Sequence, residues 1–288
     1  MDLWNIETEK KFFTDALTVH FATPEKLFYS IKNGKFAYIP KDYDTEGQTL
    51  QSRNALIGNF TEAWAKNLFE PIARKNQLFA VNGVECPEIG LSRRSEADLA
   101  FCTTDSKIQP AHNIKLIFEI KMSIVSNYKY IASNLVEFVG DYKTHQGNPS
   151  LLRSDSMLKA IGKSINIRVS GIKSTEIPII ILGNSPISTN YSHKVDFLKA
   201  AGVIQGFWSL NPKPTESEFI KESEKMGFQT IEKVNIIEEL CKDLLNTKLN
   251  YFSSMISQKE LGEYIRIANQ ESTDEAKAEK FLALIRDI

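Results

Sequence analysis

The most sustained apolar run in the chain, Ile177-Pro178-Ile179-Ile180-Ile181-Leu182, is closed by the turn formers Gly183-Asn184-Ser185-Pro186. A run this short, bounded by turn residues, has the length of a strand, and its lack of alternation makes both of its faces apolar. Such a strand needs cover above and below its sheet, which is the layering of an α/β protein. It is also far short of the roughly 20 apolar residues that a membrane-spanning helix requires. No bilayer crossing is expected.

The rest of the chain supplies that cover. Helical character is expected in an N-terminal segment up to about Lys32, followed by a loop around Asn33 to Gly47. Helical periodicity runs from Leu50 to about Lys75, with Leu56, Phe60, Ala63, Trp64 and Leu68 on one stripe. Three strand candidates follow: Leu78 to Cys86, Ser95 to Cys102 and Ile114 to Met122. Asp155 or Ser156 can cap a helix to about Val169, whose Leu158, Ile161 and Ile165 form an apolar stripe. After the apolar strand come a helix from His193 to Ala201 and a strand from Val203 to Leu210. The order α, three β, α, β, α, β predicts a mixed sheet flanked by helices, because a meander precedes the crossovers.

From Thr215 onward the sequence reads as almost wholly helical, with a break at Gly227. Its apolar set Ile236, Ile237, Leu240, Leu244 and Leu245 suits a subunit interface or a core contact equally. The chain therefore divides into an N-terminal segment (1–49), a central core (50–212) and a C-terminal helical region (213–288) available for dimerisation or for clamping a ligand.

Charge narrows the function. The 35 Lys and Arg nearly balance the 36 Asp and Glu, so the protein is no general polyanion binder. The cationic residues concentrate in Lys121 to Lys173, which holds eight basic and three acidic side chains. Cys86, Cys102 and Cys241 have no zinc spacing and are read as reduced thiols, while the four histidines never fall at a ligand spacing. The charged N-terminus has no apolar signal stretch, so the cytoplasm is the expected compartment.

Chemistry concentrates in two of the strands. In Ile114–Met122, alternation points Leu116, Phe118, Ile120 and Met122 one way and Glu119 and Lys121 the other. In Ser95–Cys102 it puts Glu96 and Asp98 together, opposite Ala97, Leu99 and Phe101. If the two strands are antiparallel neighbours, an acid from each and a lysine converge. Paired carboxylates suit a hard divalent cation, above all Mg²⁺, beside a phosphodiester. A lysine two residues on can orient water or stabilise the transition state. Glu-x-Lys also occurs at Glu9 and Glu275, so context decides, and only Glu119 lies in an apolar strand with an acidic strand upstream. Glu96 is an alternative to Asp98, and a cross-strand ion pair on a solvated face is an alternative to a site.

With Asp98, Glu119 and Lys121 at these positions, residues 50–210 resemble the PD-(D/E)XK nuclease superfamily, and more particularly type II restriction endonucleases. Ala97 stands where the motif's name has proline. The resemblance implies a restriction-endonuclease-like core in which Asp98 and Glu119 hold Mg²⁺, for which Mn²⁺ can substitute. It adds the backbone carbonyl of Ile120 as a metal ligand and matches Glu62, on the preceding helix, to a further acid. It also implies hydrolysis of double-stranded DNA at a short specific site to 5′-phosphate and 3′-hydroxyl ends, and a cognate DNA methyltransferase that protects the host site. A homodimer would match a palindromic site. A structure-selective repair nuclease of junction-resolvase type on the same core is the rival enzyme, and a non-catalytic DNA-binding module the rival from another class.

Candidate DNA contacts are Arg93 and Arg94 before the acidic strand, and Tyr130, Lys143, His145, Gln146, Asn148 and Arg153 in the stretch expected to be irregular. Lys159 and Lys163 join them, four apart on one polar helix face.

Overall fold

The computed structural model describes residues 2–44, 50–247, 249 and 258–286. Residues 45–47 of the expected loop, and 248, 250–257 and 287–288 of the expected C-terminal helical region, lie outside them.

The chain opens with α1 (Ile6–Thr18), whose cap Asn5 accepts the amide of Thr8. The expected helix to Lys32 stops here. Phe21 takes a positive φ of 49°, and Pro24 starts a separate single turn, α2 (Pro24–Leu27). A hairpin follows, β1 (Tyr29–Ile31) and β2 (Gly34–Phe36), where helix and loop were expected.

Next come the long helix α3 (Gln51–Lys75) and the meander β3 (Phe79–Val84), β4 (Ala97–Cys102) and β5 (Ile114–Ile120), all close to expectation. The stretch from Tyr128 is less irregular than expected, since it pairs as β6 (Asn127–Tyr130) and β7 (Val136–Gly140). Then follow α4 (Ser154–Ser170), the fully buried β8 (Ile179–Gly183), α5 (Thr189–Ala200) and β9 (Gly206–Ser209). Beyond Thr215 the expected helix gives way to irregular chain and a strand, β10 (Phe228–Thr230). The cause is Asp196: its carboxylate accepts Ser223 Oγ at 2.6 Å and the amides of Lys225 and Gly227 at 3.1 and 2.8 Å, tying this segment to α5. Helices α6 (Val234–Asn246), α7 (Gln258–Ala268) and α8 (Asp274–Arg286) complete the chain.

Among the described residues the strands form a six-stranded sheet, ordered β10-β9-β8-β5-β4-β3, and a four-stranded one, ordered β1-β2-β6-β7. In the larger sheet β3, β4 and β5 are antiparallel, whereas β5, β8, β9 and β10 run parallel. This is an α/β fold with a mixed sheet flanked by helices. One face packs Leu99, Phe118, Leu182 and Trp208 against α1 and α3, and the other packs Ala100, Ile117, Ile181 and Phe207 against α4. The apolar set of α6 packs against the first of these cores, with Ile237 fully buried and Ile236, Leu240, Leu244 and Leu245 partly so. No helix among the described residues is long and apolar enough to cross a membrane.

Helix α4 corrects the expected stripe. Leu158 and Ile165 are exposed, while Met157, Ala160, Ser164 and Ile167 face the sheet. The buried face mixes large and small side chains, Met157 and Ile167 with Ala160 and Ser164, so it does not coincide with the most apolar stripe.

Candidate active site

Strands β4 and β5 pair from Cys102↔Ile114 to Leu99↔Phe118 and part beyond that rung. At the fork Asp98 takes over the role of a strand partner: its Oδ2 accepts the amide of Ile120 at 2.7 Å. On its other side β5 continues along β8, with Lys121 N donating to Leu182 O at 2.7 Å. The site thus lies where the carboxyl end of a parallel strand meets a parting antiparallel one, a usual place for ligands in α/β sheets.

Asp98 and Glu119 share one face of the sheet, as alternation predicts, and two ammonium groups lie between them. Lys163 Nζ stands 3.0 Å from Asp98 Oδ1 and 2.5 Å from Glu119 Oε2. Lys121 Nζ hydrogen-bonds Glu119 Oε1, lies 3.7 Å from Asp98 Oδ2, and donates to the carbonyl of Ile120 at 3.2 Å. The side chain of Ile120 packs in the core under α3. Two acids and two lysines make a charge-balanced cluster that is more than four-fifths buried.

Burial, reinforced by the like charge of Asp98, raises the pKa of Glu119, while Lys121 and Lys163 pull it back. Burial works against Lys163, but the carboxylates of Glu119 and Asp98 outweigh it and hold that amine above its ordinary value. Glu62, half-buried on α3, has its carboxyl pKa raised by burial and by the charges of Asp98 and Glu96, and among the described residues its side chain makes no hydrogen bond or ion pair with the cluster. Its carbonyl accepts Asn82 Nδ2 from β3 at 3.2 Å, which ties that turn of α3 to the sheet.

Glu96 is set apart from Asp98 by Gly83. The β3–β4 ladder is interrupted at Gly83, with φ at 65°, and beyond it Val84 pairs with Ala97. Both side chains then join the core under α4, so Ala97 no longer lies with Leu99 as strict alternation requires. Glu96 turns back over Gly83, and Asp98 alone receives Lys163 and the Ile120 amide.

Lys163 is not on a solvated face with Lys159. Its side chain is only 16% exposed, against 70% for Lys159, because Ala160, Lys163 and Ile167 fall on the turns of α4 that cover the sheet. His145 is likewise no surface contact. It is buried and stacked on Tyr38 with centroids 4.1 Å apart, and its Nε2 lies 3.0 Å from the carbonyl of Val125. Tyr130 is half-buried against Phe28, Gln146 donates to the carbonyl of Pro40, and Lys143 reaches the carbonyl of Glu218. Arg93 and Arg94 are exposed in the turn before β4.

Asn148, Arg153 and Lys159 line a cleft of about 670 Å³ that opens on Lys121. Ser150 and Arg53, which no sequence pattern singles out, belong to its wall. Ser150 is buried with a positive φ of 51°; its Oγ donates to the carbonyl of Lys121 at 2.6 Å and accepts the amide of Asn184 at 3.0 Å. A strained residue is held there to fix the exit of β5.

The donors are all oxygens: two carboxylates and the Ile120 carbonyl surround the Lys121 ammonium, which marks the point where a cation is favoured. Glu119 Oε2 is buried and has no aligned hydrogen bond. No cluster of three His, Cys, Asp or Glu suited to a metal occurs among the described residues. A hard ion that keeps several waters, such as Mg²⁺, fits this oxygen set, whereas a soft or imidazole-bound metal does not. Compared with known proteins, the chain matches no family model, no curated protein and no solved structure.

Proposed function

We propose that the protein is a Mg²⁺-dependent endonuclease of the PD-(D/E)XK type, acting on double-stranded DNA in the manner of a type II restriction enzyme. The observation that carries this reading is the meeting of Asp98, Glu119, Lys121 and the Ile120 carbonyl at the β4–β5 fork, beside an open cleft. The mixed sheet with its antiparallel meander and helical cover supports a restriction-endonuclease-like core.

Asp98, Glu119 and the Ile120 carbonyl would hold the ion, with Glu62 behind them. When bound, Mg²⁺ supplies the charge that makes a coordinated water acidic and offsets charge growing on the phosphodiester. Lys163 keeps the two carboxylates together from the α4 side and lowers the cost of their mutual repulsion. Lys121, attached to the fixed end of β5, brings a positive charge to the point where the water and the phosphate meet. Ser150 and Asn184 hold the backbone on which Lys121 rides.

The test is incubation with plasmid and Mg²⁺. Discrete fragments are expected, ending in 5′-phosphate and 3′-hydroxyl. Cutting confined to branched substrates would favour the structure-selective nuclease, and no cutting with any divalent ion would favour the binding module.

A further inference from the structure

The cleft that opens on Lys121 has a floor that its neighbours do not satisfy. Arg53 is 5% exposed, and its Nη1 donates to the carbonyls of Leu27, at 3.3 Å, and Ala37. Its guanidinium lies between the rings of Tyr29 and Tyr38, at 5.2 and 5.1 Å. Its Nε has no hydrogen-bond partner, and among the described residues no carboxylate pairs with it. A buried cation without an anion is costly unless a ligand supplies one.

A second element of the same cleft wants an anion too. Helix α4 begins at its wall, and no side chain caps its first turn. Uncapped amides and the positive end of a 17-residue helix favour a phosphate. Arg153 and Lys159 stand on the rim, their charge reduced by Asp155, which lies 3.6 and 3.0 Å from them. Lys121 belongs both to this wall and to the acid cluster, so whatever fills the cleft continues past the reacting group.

From these features we infer that the cleft binds a backbone phosphate next to the scissile one, on the strand being cut, with Arg53 as its deepest ligand and the start of α4 as its second. The identity of the polymer rests on the nuclease reading; the anion site rests on Arg53 and α4.

The experiment is fluorescence anisotropy with a labelled duplex in EDTA, where nothing is cut, repeated across salt concentrations. Arg53→Gln and Arg153→Gln should each weaken binding about tenfold and lower the slope of log affinity against log salt by about 0.9, the signature of one lost phosphate contact. Lys11→Gln, on the exposed face of α1, should bind as wild type. Wild-type affinity and slope in folded Arg53→Gln and Arg153→Gln would overturn the inference. Should Arg53→Gln fail to fold, Arg153→Gln decides alone by the same criterion. The two readings fail differently. An Arg153-dependent slope in a protein that cuts nothing retires the hydrolase and keeps the anion site. Plasmid cutting by a wild type whose cleft variants bind unchanged does the reverse, and a wild type that neither binds duplex nor cuts plasmid retires both.

Discussion

Two glutamates of this chain begin a Glu-x-Lys tripeptide, are buried, and have carboxyl groups pushed up by that burial, yet they are held in opposite ways. Glu9 on α1 is held by neutral donors: Oε1 accepts Trp4 Nε1 at 3.0 Å and Val125 N at 2.6 Å, and Oε2 accepts Ser126 N at 3.1 Å and Tyr128 OH at 2.9 Å. Glu119 is held by two ammonium groups on flexible stems beside an open cleft, and one of its oxygens lacks an aligned hydrogen bond. Fixed neutral donors make a carboxylate part of the scaffold. Ammonium partners, which an incoming cation can replace, leave one ready to exchange partners, which suits a site that admits an ion or a phosphate.

The largest expected effect breaks this comparison from the Glu119 side. Glu119→Gln should lower DNA cleavage by about a thousandfold or more, as loss of a group acting on the transition state does. Its urea midpoint should fall while the variant still folds, because the amide leaves the Lys121 and Lys163 ammonium groups facing the charge of Asp98, so cleavage is compared per folded molecule. Lys121→Ala should lose cleavage similarly while keeping the fold. Full activity in both would remove the site from the fork.

Glu9→Gln should do the reverse. Each Glu9 oxygen accepts two hydrogen bonds, so an amide nitrogen in either place faces two donors with nothing to give them. A loss of about 3 kcal/mol in unfolding free energy is expected, with cleavage per folded molecule unchanged. A variant as stable as wild type would show that the network does not hold α1 to the chain at Val125–Tyr128.

A smaller effect, read with pH, concerns His145. Burial holds its imidazole down from 6.5 to about 4. It stays neutral in the folded protein while the unfolded chain takes up a proton below pH 6.5, so its contribution is complete above pH 6.5 and is lost as pH falls towards 4. By pH 4.5 the loss should reach about 2.5 kcal/mol. Unfolding measured at pH 7 and pH 4.5 should show a smaller drop in His145→Gln than in the wild type. Equal drops would mean that His145 is solvated rather than stacked on Tyr38.

What the sequence disclosed about these regions follows from period. The apolar strand at Ile179–Gly183 and the faces of β5 were legible because a strand's period of two leaves little room for error. Glu119 and Lys121 were legible for the same reason. Helix α4 was misread because its buried face, Met157, Ala160, Ser164 and Ile167, mixes polar and small residues with apolar ones, while the conspicuous Leu158 and Ile165 point outward. Lys163 followed it to the wrong side, although its place between Ala160 and Ile167 was the available signal. Arg53 and Ser150 were illegible: one is buried by aromatic rings distant in sequence, the other by contacts to Lys121 and Asn184 that only the folded sheet creates.

The smallest expected effect sharpens the comparison at the fork itself, by asking which acid of β4 belongs there. Gly83 sits at φ 65°, where an added Cβ is strained, and that Cβ would stand 3.0 Å from Glu96 Oε2. The backbone strain should cost Gly83→Ala about 1 kcal/mol of stability. The contact itself is cheap, since the end of the Glu96 side chain can turn away. Cleavage per folded molecule should therefore hold within about twofold, because Asp98 keeps its bonds to Lys163 and to the Ile120 amide. A fall of tenfold or more with the fold intact would mean that the displaced Glu96 carboxylate, and not only Asp98, reaches the reacting phosphate.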